Sequence, residues 1–250
     1  MPSCDHWRET MADSLLKIRQ EIIRCTLCPR LVEYREGIAR EKKRAYRDWD
    51  YWGKPVPGFG DPQARLMITG LAPAAHGGNR TGRVFTGDSS GDFLYAALHQ
   101  SGFASQAHAI SRDDGMTLRD AYINATVRCA PPDNKPLPAE SHNCRPYLAR
   151  ELDALGMEDG RLRCVISLGK IAFDSFLAIL RERKLLRPRF AYRFAHGAEY
   201  TAEYTIDSIQ PVPLTLLASY HPSPRNTQTG RLTPAMFLSV FERAKKILHH

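Results

Sequence analysis

Leu66-Met67-Ile68-Thr69 is a short apolar run, and the stretch that follows it, GLAPAAHGGNRTGRVFTGDSSG (70–91), is dense in Gly, Pro, Asn and Arg. Three further runs look like buried strands: 121–127, 164–168 and 214–218. The first of these leads into RCAPPDNKPLP (128–138), and the last ends in SYHPSPRNTQTGRLTP (219–234). Because open parallel sheets bind ligands beyond the carboxyl ends of their strands, these loops are the places to look for function.

Helical patterns alternate with the apolar runs. They cover residues 11–24, 90–101, 139–155, 170–183 and 233–248. Alternating strands and helices favour a parallel sheet with helices on both faces, so the predicted fold class is α/β. With 43% hydrophobic residues the chain can bury a sizeable core, and residues 1–250 are expected to form a single domain.

Two irregular stretches, 35–57 and 187–213, look like insertions into this pattern. The first is charged and contains interleaved Tyr and Trp. The second carries a possible hairpin at His196-Gly197. Neither stretch resembles a flexible linker between two domains.

The charge balance indicates which class of partner the chain is expected to bind. It carries 35 Lys and Arg against 27 Asp and Glu, a formal net charge of +8. This balance favours a polyanion such as nucleic acid, although a basic enzyme with scattered charge would look the same. No signal peptide is evident at the amino terminus, and no stretch approaches the roughly 20 apolar residues of a membrane span. The sequence therefore predicts a cytoplasmic protein without a membrane segment.

Four of the six cysteines are spaced like ligands. Cys25 and Cys28 form a CxxC motif, and Cys129 and Cys144 form a wider pair around a proline-rich loop. Four thiolates from distant segments suit zinc or an iron–sulfur cluster, whereas an isolated CxxC can also be a redox motif. Structural zinc sites more often use two tight pairs, so the wide second pair favours the iron–sulfur cluster.

Three motifs carry a family resemblance. The segment GLAPAAHGGNRTGRVFTGD (70–88) resembles the first motif of the family 5, or type B, uracil-DNA glycosylases. Residues 122–138 are similar to the second motif, and SYHPSPRN (219–226) is similar to the third. Family 4 enzymes carry an acidic residue early in the first motif, whereas GLAPA (70–74) has none, which favours family 5. With the four cysteines, the resemblance covers nearly the whole chain.

The resemblance implies a three-layer α/β/α sandwich with a central four-stranded parallel sheet. It implies a 4Fe-4S cluster on the four cysteines, with a structural role because hydrolysis needs no electron transfer. The implied activity is hydrolysis of the N-glycosidic bond of uracil in double-stranded DNA, which initiates base excision repair. Hypoxanthine, xanthine, hydroxymethyluracil and ethenocytosine are further expected substrates. The implied protein is monomeric and associated with the nucleoid.

The resemblance also implies roles for individual residues. The expected catalytic residues are Asp88, Asn124 and His221. The expected base-binding residues are Gly70, Ala72, Ala74, Phe85, Asn124 and His221, and the expected DNA-binding residues are Arg80, Ser223, Arg225, Asn226 and Arg231.

Each catalytic assignment has a chemical reason. The amide of Asn124 can donate to and accept from the edge of a uracil, and Phe85 offers a face for stacking. His221 can donate to the base oxygen on which negative charge develops. Asp88 is expected to position water or to stabilise the oxocarbenium-like sugar, with capping of the next helix as its alternative. Ala72 stands where relatives carry the general base.

Two other functions remain open at this stage. A DNA-binding or sensor protein with an iron–sulfur cluster and no catalysis would explain the charge and the cysteines. A glycosylase whose preferred base is not uracil would explain the absence of an acidic residue near Ala72.

Overall fold

The computed structural model describes residues 15–157, 159–187, 189–206 and 210–249. Its strands are β1 Phe59–Gly60, β2 Leu66–Gly70, β3 Ala121–Ala125, β4 Cys164–Leu168, β5 Glu199–Ile206 and β6 Gln210–Ser219. They form one six-stranded sheet in the order β1-β3-β2-β4-β6-β5. The four inner strands are parallel, and β1 and β5 are antiparallel edge strands.

The helices surround this sheet. They are α1 (residues 15–24), α2 Pro29–Glu41, α3 Gly78–Thr81, α4 Ser89–Gln100, α5 Pro138–Ala154, α6 Lys170–Glu182, α7 Pro224–Thr227 and α8 Pro234–His249. Short 3-10 turns lie at Arg44–Tyr46 and Pro132–Asn134. Among the described residues, no helix combines the length and the apolarity needed to cross a lipid bilayer.

Side chains alternate along the inner strands and so build two cores. Ile68 and Ile166 pack in the core that α4 and α8 cover. Met67 and Val165 pack on the opposite face, beneath α1, α5 and α6. The predicted α/β class and the three-layer α/β/α arrangement are confirmed.

The sheet differs from the prediction at its edges. The four parallel strands are present as expected, but β1 and β5 add one strand on each side. The predicted hairpin at His196-Gly197 is wrong, because the turn there precedes β5, and the antiparallel pair in this region is formed by β5 and β6. Edge strands need no apolar run, since one side of them faces solvent, and a search for apolar runs therefore misses them.

The stretch 35–57 is not a peripheral insertion. It contains the end of α2 and then runs along the loop that follows β2. The backbone N–H of Trp52 donates to the carbonyl of Arg80, and that of Gly53 donates to the carbonyl of Asn79. This stretch therefore braces the glycine-rich loop (residues 70–88). Residues 11–14 of the predicted first helix lie outside the described residues.

Candidate functional site

A cavity of about 630 Å³ lies beyond the carboxyl ends of the parallel strands β2, β3 and β6. It is lined by Leu71, Ala72, Pro73, Ala74, Val84, Phe85, Asp88, Ser89, Ser90, Ala125, Asp133, Asn134, His221, Ser223, Pro224 and Arg225. These residues lie in the three loops that carry the sequence motifs or at the ends of the adjoining strand and helices. The fold thus gathers the motifs at one edge of the sheet, where parallel sheets bind ligands.

Phe85 and Gly70 fit against each other at the wall of the cavity. Phe85 has a φ of 51°, a left-handed conformation that is costly for a bulky side chain. A Cβ on Gly70 would lie 2.6 Å from Cζ of Phe85, so only glycine leaves room for the ring. Gly70 therefore does not line the cavity itself, but its missing side chain leaves the space in which the Phe85 ring packs.

The ring of His221 lies next to that of Phe85 in the cavity wall, with 5.8 Å between the ring centroids. Burial lowers the pKa of His221 to about 4, so the imidazole is neutral near pH 7. The Asn226 amide donates to the backbone carbonyl of His221 at 2.8 Å and holds this loop in place. A neutral imidazole at this position can donate one N–H to an oxygen of a bound base.

Asp88 both caps α4 and lines the cavity. Its Oδ1 accepts the backbone N–H of Gly91 at 3.0 Å. Burial raises the pKa of Asp88, while the N–H groups of Ser90 and Gly91 oppose that rise. A Cβ on Gly77 would lie 1.9 Å from Oδ2, so the carboxylate also packs tightly on the glycine-rich loop. The capping role and the position in the cavity coexist.

Asn124 does not line the cavity. It lies in β3 with its side chain fully buried, where Nδ2 donates to Oε2 of Glu151 at 2.6 Å. Its Oδ1 accepts the hydroxyl of Thr69 at 2.8 Å. Glu151 is also paired with the buried Arg128. Both halves of the Asn124 amide are thus occupied, and this geometry argues against the predicted contact with the base.

Asn134, which the sequence reasoning missed, lies at the rim of the cavity. It and Asp133 have positive φ values of 56° and 53°, a rare conformation for two successive residues without glycine. The backbone N–H of Asn134 donates to the carbonyl of Pro131 at 3.2 Å, whereas its side-chain amide has no hydrogen-bond partner within the described part of the chain. The sequence feature that could have identified Asn134 is its position in a proline-flanked loop directly after β3.

The backbone of the glycine-rich loop offers further donors. Among the described residues, the N–H groups of Ala72 and Ala74 have no acceptor, and both residues line the cavity. Backbone N–H groups in such a loop can bind a developing negative charge.

The expected DNA-binding residues take different positions. Ser223 and Arg225 line the cavity, and the side chain of Arg225 is exposed. Asn226 is turned toward the carbonyl of His221. Arg231 is exposed and lies over the ring of Tyr220, with 4.5 Å to its centroid.

Arg80 is buried, with 3% of its surface exposed. Its guanidinium lies between Tyr46 and Trp49, at 3.9 and 4.1 Å from the ring centroids. It donates to the carbonyls of His76 and Gly87, at 2.7 and 2.8 Å. A side chain enclosed in this way cannot reach a phosphate, so we revise the predicted DNA contact of Arg80 to support of the glycine-rich loop.

The structure brings the four cysteines of the predicted cluster together. Cys129 and Cys144 pack in one buried group, and Cys28 and Ala72 pack against it. Burial raises the pKa of the Cys129 thiol, and the neighbouring Cys144 and Cys25 raise it further. Ala72, a wall of the cavity, thus touches the cysteine group (Cys25, Cys28, Cys129 and Cys144).

The surroundings of the cysteine group fit an iron–sulfur cluster. Nη1 of Arg35 donates to Sγ of Cys129 at 3.1 Å, and Nδ2 of Asn143 donates to Sγ of Cys28 at 3.5 Å. Hydrogen bonds to sulfur are among the features that tune such clusters. Among the described residues, no three His, Cys, Asp or Glu side chains converge closely enough to hold a single metal ion. A cluster of several iron atoms needs its thiolates farther apart than one ion does.

Comparison with known proteins identifies relatives among the uracil-DNA glycosylases. The pattern of the uracil DNA glycosylase superfamily matches residues 57–245. A type-5 uracil-DNA glycosylase of Thermus thermophilus is 47% identical over 230 residues, which cover 91% of this chain and 95% of that protein. A type-5 enzyme of Pyrobaculum aerophilum is 43% identical, with 89% and 88% covered.

The type-4 branch is more distant. A type-4 uracil-DNA glycosylase of Sulfurisphaera tokodaii is 29% identical over 57% of this chain. The cavity is formed by the same three motifs that carry the sequence resemblance, and the type-5 matches extend over most of the chain. The chain therefore belongs to the uracil-DNA glycosylase superfamily and, within it, to the type-5 family.

Proposed function

We propose that this chain hydrolyses the N-glycosidic bond of uracil in double-stranded DNA after the nucleotide has rotated out of the helix, as the first step of base excision repair. The main support for this proposal is the cavity at the strand ends, which is lined by the ring of Phe85, the neutral imidazole of His221 and the carboxylate of Asp88. The type-5 relatives are named as uracil-DNA glycosylases, which supports the reaction.

The extruded base would lie against Phe85. Stacking on an aromatic ring stabilises a base by about 1–3 kcal/mol, which offsets part of the few kcal/mol lost on leaving the helix. The exposed amide of Asn134 is placed to bond the edge of the base, the role that the sequence assigned to Asn124.

Bond cleavage leaves negative charge on the base. The neutral imidazole of His221 donates an N–H to the base oxygen, and the N–H groups of Ala72 and Ala74, which have no acceptor among the described residues, add donors in the same cavity. Donors that are already in place lower the barrier, because they need no reorganisation when the charge forms.

Water is held by the carboxylate of Asp88 in this proposal. The cavity lining contains two carboxylates, those of Asp88 and Asp133, and Asp88 is the more buried. When the glycosidic bond is largely broken before water adds, the water needs orientation more than a strong base. Asp88 can orient it and can also stabilise the positive sugar.

The lining also supports a broad choice of base. Ala72 and Ala74 contribute only methyl groups to a cavity of about 630 Å³, which leaves space for bicyclic bases. Hypoxanthine, xanthine, hydroxymethyluracil and ethenocytosine are the proposed further substrates.

The cysteine group is proposed to hold a 4Fe-4S cluster with a structural role. Its ligands come from the segment between α1 and α2, from the loop after β3 and from α5. The cluster would join these elements and support Ala72 from behind. The monomeric state and the cytoplasmic, nucleoid-associated location stay predictions.

The test is an excision assay on a duplex with one uracil, followed by alkali, which cleaves only at abasic sites. We expect wild-type protein to yield the cleaved strand and His221→Ala to slow its single-turnover formation by about 10²-fold or more, as expected for loss of one preorganised donor. A wild-type protein that binds the duplex but leaves no alkali-labile site would instead indicate a DNA-binding or sensor protein.

A further inference from the structure

A second groove, which we call the basic aromatic groove, lies beside the carboxyl-terminal end of α6. It has a volume of about 260 Å³ and is lined by Arg181, Lys184, Leu186, Arg187, Arg189, Phe190 and Tyr192. None of these residues lines the cavity at the strand ends.

The two sites are also separated in space. Helix α6 begins at Lys170, just after the carboxyl end of β4, and continues for 13 residues. At 1.5 Å per residue this helix carries the chain about 20 Å away from the edge of the sheet that holds the cavity. The basic aromatic groove is therefore not an extension of the proposed active site.

The groove is positively charged. Its lining contains four cations and no carboxylate. Two acids close to this helix end pair with arginines that do not line the groove. Glu182 pairs with Arg145 and Asp153 pairs with Arg183, each at 2.6 Å. Within the described parts of the chain, Arg181, Lys184 and Arg189 have no carboxylate partner. Such a concentration of unneutralised cations attracts an anion.

The groove also presents an aromatic ring to solvent. Phe190 is 52% exposed, yet its ring is held edge to face by Tyr192 and Tyr200, with centroid distances of 4.9 and 6.1 Å. Tyr200 in turn lies against the buried Phe173, with 5.9 Å between the centroids. A ring anchored in the core but left open to water is positioned to stack on a ligand.

We propose that the basic aromatic groove binds single-stranded DNA. Phosphates would lie on Arg181, Lys184 and Arg189, and one base would stack on Phe190. Cations along a groove together with an exposed aromatic face are the combination that binds single strands, because every base has a face that can stack. A duplex fits less well, because its bases already stack on one another and cannot stack on Phe190. An acidic peptide fits less well, because it would bind the cations and leave the ring unused.

The experiment measures fluorescence anisotropy of a labelled, undamaged oligothymidine. It compares wild-type protein with the double variant Arg181→Ala/Lys184→Ala and with Phe190→Ala. The matched control is Lys245→Ala/Lys246→Ala, which removes the same charge from the distant, exposed side of α8. Thermal melting confirms that each variant is folded.

We expect the Arg181→Ala/Lys184→Ala variant to lower the slope of log affinity against log salt by about 1.4, which is about 0.7 for each lost phosphate contact. Phe190→Ala should weaken binding at least about fivefold, as expected for loss of a stacked base. The Lys245→Ala/Lys246→Ala control should leave the slope near wild type, and all variants should excise uracil from a short duplex at the wild-type rate.

Three results would overturn the inference. The groove variants could match the α8 control, an undamaged duplex could displace the oligothymidine as well as an unlabelled single strand does, or Phe190→Ala could leave affinity unchanged while polyglutamate competes. Loss of excision with retained groove-dependent binding would refute the proposed function instead, so the two failures are distinguishable.

Discussion

Burial shifts the pKa values of two side chains that line the cavity, His221 and Asp88. Burial lowers the pKa of His221 to about 4 and raises the pKa of Asp88. Near pH 7 the imidazole is therefore neutral and able to donate without carrying charge. In the proposed mechanism this neutral N–H donates to the oxygen of the base on which negative charge develops.

The raised pKa of Asp88 predicts the acid side of the pH profile. If the carboxylate form is the active one, single-turnover excision is lost as pH falls through a pKa above the ordinary value near 3.9. Asp88→Asn should lower the rate at neutral pH by about 10²-fold or more and abolish this acid limb. Asp92 is an exposed acid in the first turn of the same helix, so Asp92→Asn should keep both the neutral-pH rate and the acid limb of wild type. A wild-type acid limb in Asp88→Asn would contradict the assignment.

The two asparagines of the second motif should fail in different ways. Asn124→Ala leaves the buried Thr69 hydroxyl without its acceptor and removes one hydrogen bond from Glu151, which keeps its pairing with Arg128, so we expect it to lower the free energy of unfolding by about 2–4 kcal/mol. Asn134→Gly keeps the left-handed backbone and removes only the amide, so we expect slower excision with unchanged stability.

Urea denaturation and single-turnover kinetics on both variants check this pair. An Asn134→Gly variant with a wild-type rate would exclude the amide from base binding. A fully stable Asn124→Ala variant would show that the buried hydrogen bonds contribute little.

At the scale of elements, the glycine-rich loop is held from outside by the 35–57 stretch. Arg80 is enclosed between Tyr46 and Trp49 and bonds two carbonyls of the loop. The second of these carbonyls belongs to Gly87, next to Asp88. Arg80 is thus a positioning residue for the carboxylate rather than a contact to DNA.

Arg80→Met keeps the length of the side chain but removes both hydrogen bonds. We expect the variant to lose at least about 2 kcal/mol of stability, to show faster amide exchange in residues 76–88 and to excise more slowly. Arg112→Met is the matched control, because the Arg112 side chain lies over Trp52 at the surface and pairs with Asp113. Only its backbone carbonyl, which the substitution keeps, accepts a hydrogen bond from Arg83 of that loop. Equal amide exchange in the two variants would refute the positioning role.

The cysteine group connects helices to the cavity wall through Ala72. Cys129→Ser should abolish the visible absorbance of the purified protein, lower its solubility and slow excision together. Cys164→Ala should keep the absorbance, because Cys164 is buried in β4, outside the group. A colourless wild-type protein with full activity would contradict the proposed iron–sulfur cluster.

At the scale of the whole molecule, the net charge of +8 is expected to make DNA binding sensitive to salt. Arg225 is the exposed cation in the cavity lining, and we expect Arg225→Ala to reduce the salt slope of duplex binding by about 0.9, the share of one phosphate. Filter binding at several salt concentrations measures this slope. Lys245→Ala, on exposed α8, should leave it unchanged, and an unaltered slope in Arg225→Ala would remove that contact.

Much of the fold follows from local pattern. The runs of β2, β3 and β4 are apolar because both of their faces are covered, and such runs are visible in a sequence. β5 was missed because it is an edge strand, and α2 was missed because its charged face dominates PRLVEYREGIARE. Of the candidate site, His221, Phe85 and Asp88 were predicted by motif and do meet in the cavity.

The sequence by itself determined the parallel core, the three loops at its edge and the spacing of the cysteines, because periodicity and short motifs are local properties of the chain. Only the tertiary structure decided which amide faces the cavity and which arginine is buried. Asn124 points toward α5 and Asn134 toward the cavity because helix packing covers one face of β3 and leaves the loop beyond it open. Arg80 is enclosed because a segment distant in sequence folds over it, and such packing is decided by long-range contacts.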